Sequence, residues 1–382
     1  MNPLKPSERA CLLIADISGY TKYLKDVELE HAQDVIADLI TSLVGPLHAH
    51  FRVNKFEGDA VFLYSPAEEV DGSLLLDLIE ASYFAFKRRI RSIERATNCQ
   101  CGACSLIPQL DVKLVVHHGT VSHQVMLTMD ELVGTDVVIV HRLLKNDVPD
   151  VTGINAYALL TESVMKATGL EPQLLEMRSH IVDLPDVGSH QCWVHDLDTA
   201  WRREQGRRRV YVSPEDALFS IEQEIPQVAP ELAWEWMTTP ELRSLWEIGL
   251  DEIVEMPSTA RRGLGTETHC VHGDQAIVEE VVDWRPPRYV TYRGTLFNGE
   301  KVVITDEVVD AGEGVVVRKS VQPNSADQRA AVEKAMLESE PMLSQWLPKM
   351  AELITRQIAE EPSIPEPELP TPSETTRLQT SV

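Results

Sequence analysis

Along the first two hundred residues, short apolar runs alternate with stretches in which apolar positions recur every three or four residues, the pattern of strands alternating with helices. Cys11 to Asp16 (CLLIAD) reads as a buried strand. Val35, Ile36, Leu39, Ile40, Leu43, Val44 and Leu47 follow helical spacing, and Gly45 with Pro46 ends or bends that helix. Phe51 to Phe56 and Val61 to Tyr64 are strand-like and flank Glu57-Gly58-Asp59, a hairpin signal because glycine and aspartate tolerate positive φ. Asp59 is therefore expected at a hairpin tip. A helix over Leu74 to Ile93, an alternating strand over Val112 to Val121 and a short helix over Val137 to Leu144 complete the order βαββαβ. That order predicts an α+β sandwich of ferredoxin-like type, an antiparallel or mixed sheet with helices on one face.

From Phe219 the pattern changes. A strand at Phe219 to Pro226 and a helical stretch broken at Pro240 precede six strand-like segments: 251–255, 265–271, 276–284, 289–295, 301–309 and 314–322. Helical spacing returns from about Ser325 to Ile358, and Pro341 and Pro348 predict a break near Glu340 with a long terminal helix after it. A curved sheet closed over such a helix is expected to leave an apolar cavity.

The chain has 382 residues, enough for two or three domains at roughly 150 residues each. Acidic residues number 60 and basic residues 35, a net charge of −25 that repels phosphate backbones and anionic lipid. A general nucleic-acid or membrane-surface binder is thereby disfavoured. No apolar run approaches the roughly 18 residues a membrane helix needs, and the polar start with two prolines lacks a signal-peptide pattern, so a cytoplasmic location is expected. The basic stretch WRREQGRRR (201–209) interrupts this acidic background. It reads either as a solvated linker or as a strap docking on the acidic second half. The expected organisation is a first domain over 1–200, a basic linker over 201–210, a second domain over 211–360 and a disordered acidic, proline-rich tail over 361–382. Lys87, Arg88, Arg89, Arg91 and Arg95 share one helix, either as its solvated face or as an attractor for an anion or the acidic second domain.

Two carboxylates carry the candidate chemistry. Asp16 in IADISGYT and Asp59 in KFEGDA each lie beside a glycine near the end of a strand. Two aspartates brought together by adjacent strands suit Mg²⁺, which prefers carboxylate oxygen and commonly brings a phosphate. Gly19 lets the backbone before the next helix approach closely, and free N–H groups there bind phosphate oxygens. An aspartate at such a position also serves as a plain helix cap.

Ile14-Ala15-Asp16-Ile17-Ser18-Gly19-Tyr20-Thr21 resembles the aromatic-x-Asp-Ile-x-Gly-Phe-Thr opening of class III nucleotidyl cyclases, and Lys55-Phe56-Glu57-Gly58-Asp59-Ala60 resembles their Lys-x-x-Gly-Asp-Ala hairpin. Val115-Val116-His117-His118-Gly119 resembles their His-x-Gly strand, and Gly134 through Arg142 their Gly-x-x-Val-Asn-x-Ala-x-Arg segment. The likeness spans roughly residues 8 to 198 and is nearest to a bacterial group of cyclase-like domains without an assigned function. It implies that Asp16 and Asp59, with Ile17, hold two Mg²⁺ or Mn²⁺ ions, and that Ile17, Ser18, Gly19, Tyr20 and Thr21 line the site of ATP. It implies that Lys55 reads the purine edge, that Arg142 neutralises transition-state charge, and that two sites form in a head-to-tail homodimer. Two positions depart from the family. Glu131 stands where an aspartate accepts from the adenine amino group, which keeps an acceptor on a longer arm. Val138 replaces the asparagine that orients the ribose and can neither donate nor accept.

The second domain resembles the START and polyketide-cyclase-like helix-grip superfamily (SRPBCC) in its opening strand, its Ala233-Trp234-Glu235-Trp236 helix, the Val282-Asp283-Trp284-Arg285-Pro286-Pro287 approach to a strand, and its closing helix. The resemblance implies a hydrophobic small-molecule ligand. No cluster of titratable residues marks an enzyme there, and Asp283 and Trp284 are expected as turn and core residues. Cys99, Cys101 and Cys104 could share a zinc ion if His117, His118, His123 or Cys192 supplied a fourth ligand, or could be plain thiols. The functional readings are an active adenylate cyclase, a nucleotide-binding relative without turnover, a fold kept for dimerisation, and a helix-grip domain that itself converts a small molecule.

Overall fold

β1 (Glu8–Ser18) is buried at every position from Ala10 to Ala15, on both faces, so it lies at the centre of a covered sheet. The computed structural model describes residues 7–25, 29–67, 70–96, 106–126, 129–185, 187–257, 261–273 and 275–360. After β1 come α1 (Tyr20–Lys25), α2 (Leu29–Val44), the hairpin β2 (Arg52–Glu57) and β3 (Ala60–Pro66), α3 (Gly72–Ala96) and β4 (Asp111–Met126). β5 (Met129–Val133), α4 (Thr135–Leu143), α5 (Val148–Thr152), β6 (Tyr157–Thr161), α6 (Glu162–Thr168), β7 (Arg178–Leu184), β8 (Gly188–Asp196) and α7 (Leu197–Gly206) complete the first unit.

Its strands run in the order β2-β3-β1-β4-β6-β8-β7, with β5 beside β4. The first four, β2-β3-β1-β4, are mutually antiparallel and have the ferredoxin-like order that βαββαβ predicts. The expectation of helices on one face is corrected. The row Cys11, Leu13, Ala15 and Ile17 packs under α2 and α3, whereas Leu12 and Ile14 on the opposite face pack with Val137, Val140 and Leu143 of α4. The cause is in β1 itself: six consecutive buried residues leave no polar face for solvent.

The second unit is all antiparallel. β9 (Phe219–Pro226), α8 (Pro230–Thr238), α9 (Pro240–Trp246), β10 (Glu252–Met256), β11 (Glu267–His272), β12 (Gln275–Arg285), β13 (Tyr289–Thr295), β14 (Lys301–Asp310) and β15 (Gly314–Pro323) precede α10 (Arg329–Leu343) and α11 (Trp346–Glu360). The sheet order β10-β11-β12-β13-β14-β15-β9 returns the last strand to the first. The apolar sides of α8, α10 and α11 form one core with the strands. The helix break falls at Ser344 and Gln345 rather than near Glu340. Pro341 is held in the last turn of α10, where it forfeits only one backbone bond and the Gln345 amide donates to its carbonyl at 2.5 Å. Pro348 lies in the first turn of α11, where a backbone N–H has no helical partner anyway.

α7, capped by Asp196 accepting from the Thr199 backbone N–H at 2.9 Å, contains residues 201–206 of the basic stretch, and Trp201 is buried in the first core. The chain then crosses over, with the Val210 N–H donating to Asp283 (2.9 Å) and the Val212 N–H to the Thr305 hydroxyl (3.0 Å). Beyond this crossing, α3 meets the second unit directly. Arg261 pairs with Glu80 (2.8 Å) and stands 3.6 Å from Asp77, the Trp284 indole N–H donates to both Asp77 oxygens (3.2 Å each), and Arg262 pairs with Asp71 (2.6 Å). Cys99, Cys101, Cys104 and the expected tail from 361 lie outside the described residues. No helix among the described residues is long and apolar enough to cross a membrane.

Candidate functional site

Period-two alternation sets the first group of side chains. Asp16 continues the Leu12 and Ile14 row of β1, and register pairs it with Ala60 of β3 and Lys113 of β4. The turn at Gly58 (φ +71°) closes the β2–β3 hairpin and brings Asp59 back over β1, where its backbone carbonyl accepts from the Ile17 N–H at 3.2 Å. The expected hairpin tip is thus where Asp59 stands. Burial, and then the nearby Asp16 carboxylate, push the Asp59 carboxyl up to about 6. Lys113, which the sequence reading missed, places its ammonium 2.9 Å from Asp16 and so balances part of that charge. Its signal was a lone lysine in the apolar alternation VKLVV, at the register position opposite Asp16.

Two carboxylates converging on strand ends beside a single ammonium form a hard-oxygen donor set that already favours a cation. Asp16 and Asp59, with the backbone at Ile17, therefore fit Mg²⁺ or Mn²⁺. Gly19 (φ +91°) turns the chain into α1, its carbonyl accepting from the Tyr23 N–H at 3.0 Å. Ser18 and Tyr20 are partly buried beside it, and Thr21 falls within α1. No cluster of three or more His, Cys, Asp or Glu side chains suited to a metal occurs among the described residues.

A second group lies along the same hairpin. The Lys55 ammonium is 3.0 Å from Glu57 and 3.8 Å from Glu131 of β5, so the two residues assigned to the base edge do come together. Glu57 also accepts from His141 of α4 (3.2 Å), and its carboxyl stays below the ordinary range because Lys55 and His141 outweigh its burial. Val138 is 47% exposed on α4, leaving space at the position of the family asparagine. Arg142, one turn on, donates to the Pro185 carbonyl beyond β7.

α4 is held in place by the His-x-Gly strand. His117 bonds Asp136 (3.0 Å) and Thr161 (3.0 Å), and Asp136 accepts from the Thr120 N–H (2.7 Å). A Cβ at Gly119 would stand 2.3 Å from Asp136, so this approach requires glycine. Gly119→Ala is expected to displace Asp136 and lower stability by about 2 kcal/mol, read from denaturant midpoints; a loss below 0.5 kcal/mol would show that Asp136 does not anchor α4. Of the candidate fourth zinc ligands, His118 bonds Arg9 through Nδ1 (2.9 Å) while its Nε2 is buried with no partner among the described residues, His123 bonds Glu8 (3.0 Å), and the buried Cys192 donates to the His190 carbonyl (3.6 Å); the cysteines they would join lie outside the described residues.

Comparison with known proteins places the chain. It is 32% identical over 166 residues to an uncharacterized protein of Mycobacterium tuberculosis (Rv2561/Rv2562), a match covering 43% of this chain and 74% of that protein. The chain belongs to that protein's family. Residues 36–152 match a family described as a protein of unknown function, and residues 216–349 match the family described as polyketide cyclase / dehydrase and lipid transport. Similar solved structures include the adenylyl cyclase CyaB of P. aeruginosa (15% identity, 54% of this chain and 98% of that one, TM-score 0.37) and protein MLL2253 of Mesorhizobium loti (21%, 36% and 96%, TM-score 0.29).

The polyketide-cyclase-like unit has a cavity of about 170 Å³ between its sheet and α10, and its lining corrects the expectation of an apolar space without titratable groups. Leu296, Phe297, Met336 and Trp346 supply apolar wall, but Arg243, Glu247, Glu279 and Lys319 line it too. Arg243 grips Glu247 (2.9 and 3.2 Å) and Glu279 (3.3 Å), and Lys319 pairs with Asp306 (2.8 Å), all five being buried. Burial works against both cations, but their carboxylate neighbours hold Arg243 and Lys319 above their ordinary values. Charges buried in this manner persist only when paired, so they form a polar floor under an apolar wall. Asp283 is likewise buried and bonded to Val210, Arg285 and Tyr289, a structural role at the crossing rather than an exposed turn.

Proposed function

We propose that the chain is a class III-type nucleotidyl cyclase that converts ATP to cyclic AMP and pyrophosphate at sites shared by two copies, with its second unit binding a largely hydrophobic small molecule that bears a polar end. The observation that carries the reading is that one hairpin contributes to two groups: its Asp59 joins Asp16 of β1, and its Lys55 joins Glu131 of β5. A hairpin that offers both supports a head-to-tail dimer in which each copy completes the other's site. A cytoplasmic location, where ATP is supplied, belongs to this reading.

In this mechanism Asp16 and Asp59 would hold Mg²⁺ or Mn²⁺, which would supply charge stabilisation at the phosphates and the ribose 3′-oxygen. Lys55 donates to the purine edge and Glu131 accepts from the adenine amino group, which favours adenine over guanine. The 3′-oxygen, its proton lost to solvent, bonds the α-phosphorus as the bond to the leaving pyrophosphate breaks. Arg142 of the second copy offsets the charge that builds on the phosphoryl oxygens.

Purified protein with ATP and Mn²⁺ is expected to yield cyclic AMP. A second reading, nucleotide binding without turnover, is favoured by Val138. Wild-type protein that gives no cyclic product but melts at a higher temperature with ATP and Mn²⁺ selects it. Val138→Asn is expected to raise turnover about 10²-fold, the usual scale of one preorganised polar contact, with unchanged stability because the position is exposed. An unchanged rate would show that the ribose is oriented by another group.

A further inference from the structure

The arginines that the sequence leaves without a role meet at the junction of the two units. A concavity of about 600 Å³ is lined by Arg88 and Arg91 of α3, Arg207 and Arg209 of the crossing segment, and Arg285 and Arg288 around the β12–β13 turn. Glu204 is its one carboxylate among the described residues, and Arg285 pairs with it at 2.8 Å. Arg285 is committed further, donating to Asp283 (2.8 Å) and to the Glu204 and Arg207 carbonyls (2.8 and 3.2 Å). It is part of the frame. Arg91 lies over the Trp201 ring at 4.8 Å and donates to Gln205 (3.3 Å). Arg88, Arg207, Arg209 and Arg288 have no carboxylate within 4.0 Å among the described residues. Burial, and then the neighbouring Arg288 guanidinium, lower Arg88 to about 10, with Glu204 opposing them only in part. The Trp201 indole N–H, in the wall of the same concavity, is buried without an acceptor among the described residues.

This arrangement runs against the whole-chain charge of −25, because five guanidiniums face one space whose carboxylate is already taken. Guanidinium forks match phosphate oxygens in pairs, and several of them around one concavity suit closely spaced phosphates better than a single oxyanion. The size is that of a small-molecule site. A long nucleic acid would have to approach against the net negative field of the chain.

We propose that this junction is a binding site for a small polyphosphate, a chain of two or more linked phosphates either free or carried by a nucleoside, held by Arg88, Arg91, Arg207, Arg209 and Arg288. The site draws on both units, so the ligand ties α3 to the β12–β13 turn. It is separate from the Asp16 and Asp59 group and needs no divalent metal.

The test is titration calorimetry on the full chain in EDTA with sodium tripolyphosphate, with ATP, and with sodium sulfate at matched ionic strength. One saturable site is expected, at least tenfold tighter for tripolyphosphate than for sulfate. ATP binding more tightly than tripolyphosphate would assign the nucleoside-borne form, and equal or weaker ATP binding the free chain. The Arg88→Ala/Arg288→Ala double variant, checked for an unchanged melting temperature without ligand, is expected to weaken binding at least tenfold. Arg207→Ala/Arg209→Ala, on exposed positions, provides a second route should the first pair fail to fold. Asp59→Asn is expected to bind as wild type, which separates this site from the proposed catalytic one. Absence of saturable binding, equal binding of sulfate, or arginine variants that bind as wild type would each overturn the proposal.

Discussion

Asp59→Asn protein is expected to retain its fold and lose metal-dependent production of cyclic AMP, to below about one-hundredth of the wild-type rate. The charge stabilisation a divalent metal supplies at a phosphoryl centre amounts to several kcal/mol, and an amide in place of one carboxylate forfeits much of it. The same substitution is expected to stabilise the metal-free protein. Asp59 titrates at about 6 rather than 3.8, because burial and Asp16 disfavour its charged form. A carboxyl raised in the folded state binds protons that the unfolded chain has already released, so stability falls as pH rises from about 4 to about 6. Asparagine removes that slope. The expected gain at pH 7 is about 1 kcal/mol, since the carboxyl is partly exposed and solvent screens it. Metal affinity of the wild type is expected to fall as pH drops below about 6, because protons then compete with the metal for Asp59. Rates, metal affinities and denaturant midpoints of both proteins across pH 5 to 8 check these statements. An asparagine variant that turns over at the wild-type rate removes the metal role of Asp59.

Arg261→Ala is expected to cost about 3–5 kcal/mol, the usual penalty for stripping the partner from buried charge. Its guanidinium faces Glu80 at 2.8 Å and Asp77 at 3.6 Å, both within the contact between α3 and the second unit. The two acids respond differently. Burial alone would raise Glu80, but Arg261 and His195 (2.9 Å) overcome it and hold the carboxyl at about 2. Its contribution is therefore present above the ordinary value of 4.5 and is lost as pH falls toward 2. Asp77 is pushed up to about 7, by burial first and helped by Glu80 against the pull of Arg261, so its contribution declines between about pH 4 and pH 7. Asp77→Asn keeps an acceptor for the Trp284 N–H and is expected to match the wild type at pH 4 and exceed it at pH 8. Urea midpoints of both variants test the pair. An Arg261→Ala loss below 1 kcal/mol would mean that the contact yields to solvent without consequence.

Much of the first site was legible because its residues sit at the ends of strong local patterns. CLLIAD places Asp16 at a strand end, and Glu57-Gly58-Asp59 announces the turn that returns Asp59 to it. The convergence of Lys55 with Glu131 was legible only through family likeness, since β5 lies some seventy residues beyond the hairpin and no local rule sets its register. The charged floor of the second cavity was illegible for a different reason. Glu279 is followed by Glu280 and Lys319 stands between Arg318 and Ser320, so each falls in a locally polar stretch that reads as solvated, although its period-two neighbours (Val281; Val317 and Val321) belong to the core. Arg261 and Asp77 are too distant in sequence for any periodicity to join them. The second face of the first sheet could have been read from β1 alone, whose unbroken apolar run is the pattern of a strand covered on both sides.

The placement of α3 bears on how the chain can be taken apart. At 25 residues it is roughly 37 Å long, and its sides serve both bodies: Leu75, Ile79 and Phe86 in the first core, and Asp77 and Glu80, with Asp71 just before its first residue, against Arg261, Arg262 and Trp284. The two family matches are separate modules in sequence, over 36–152 and 216–349, but their boundary is not a mechanical seam. Severing the chain near residue 208 would leave the first piece with three carboxylates stripped of their two guanidiniums and the second with Trp284 stripped of its cover. Fragments made along the family boundaries would then report on damaged surfaces, and the behaviour of either half is best measured with the other attached.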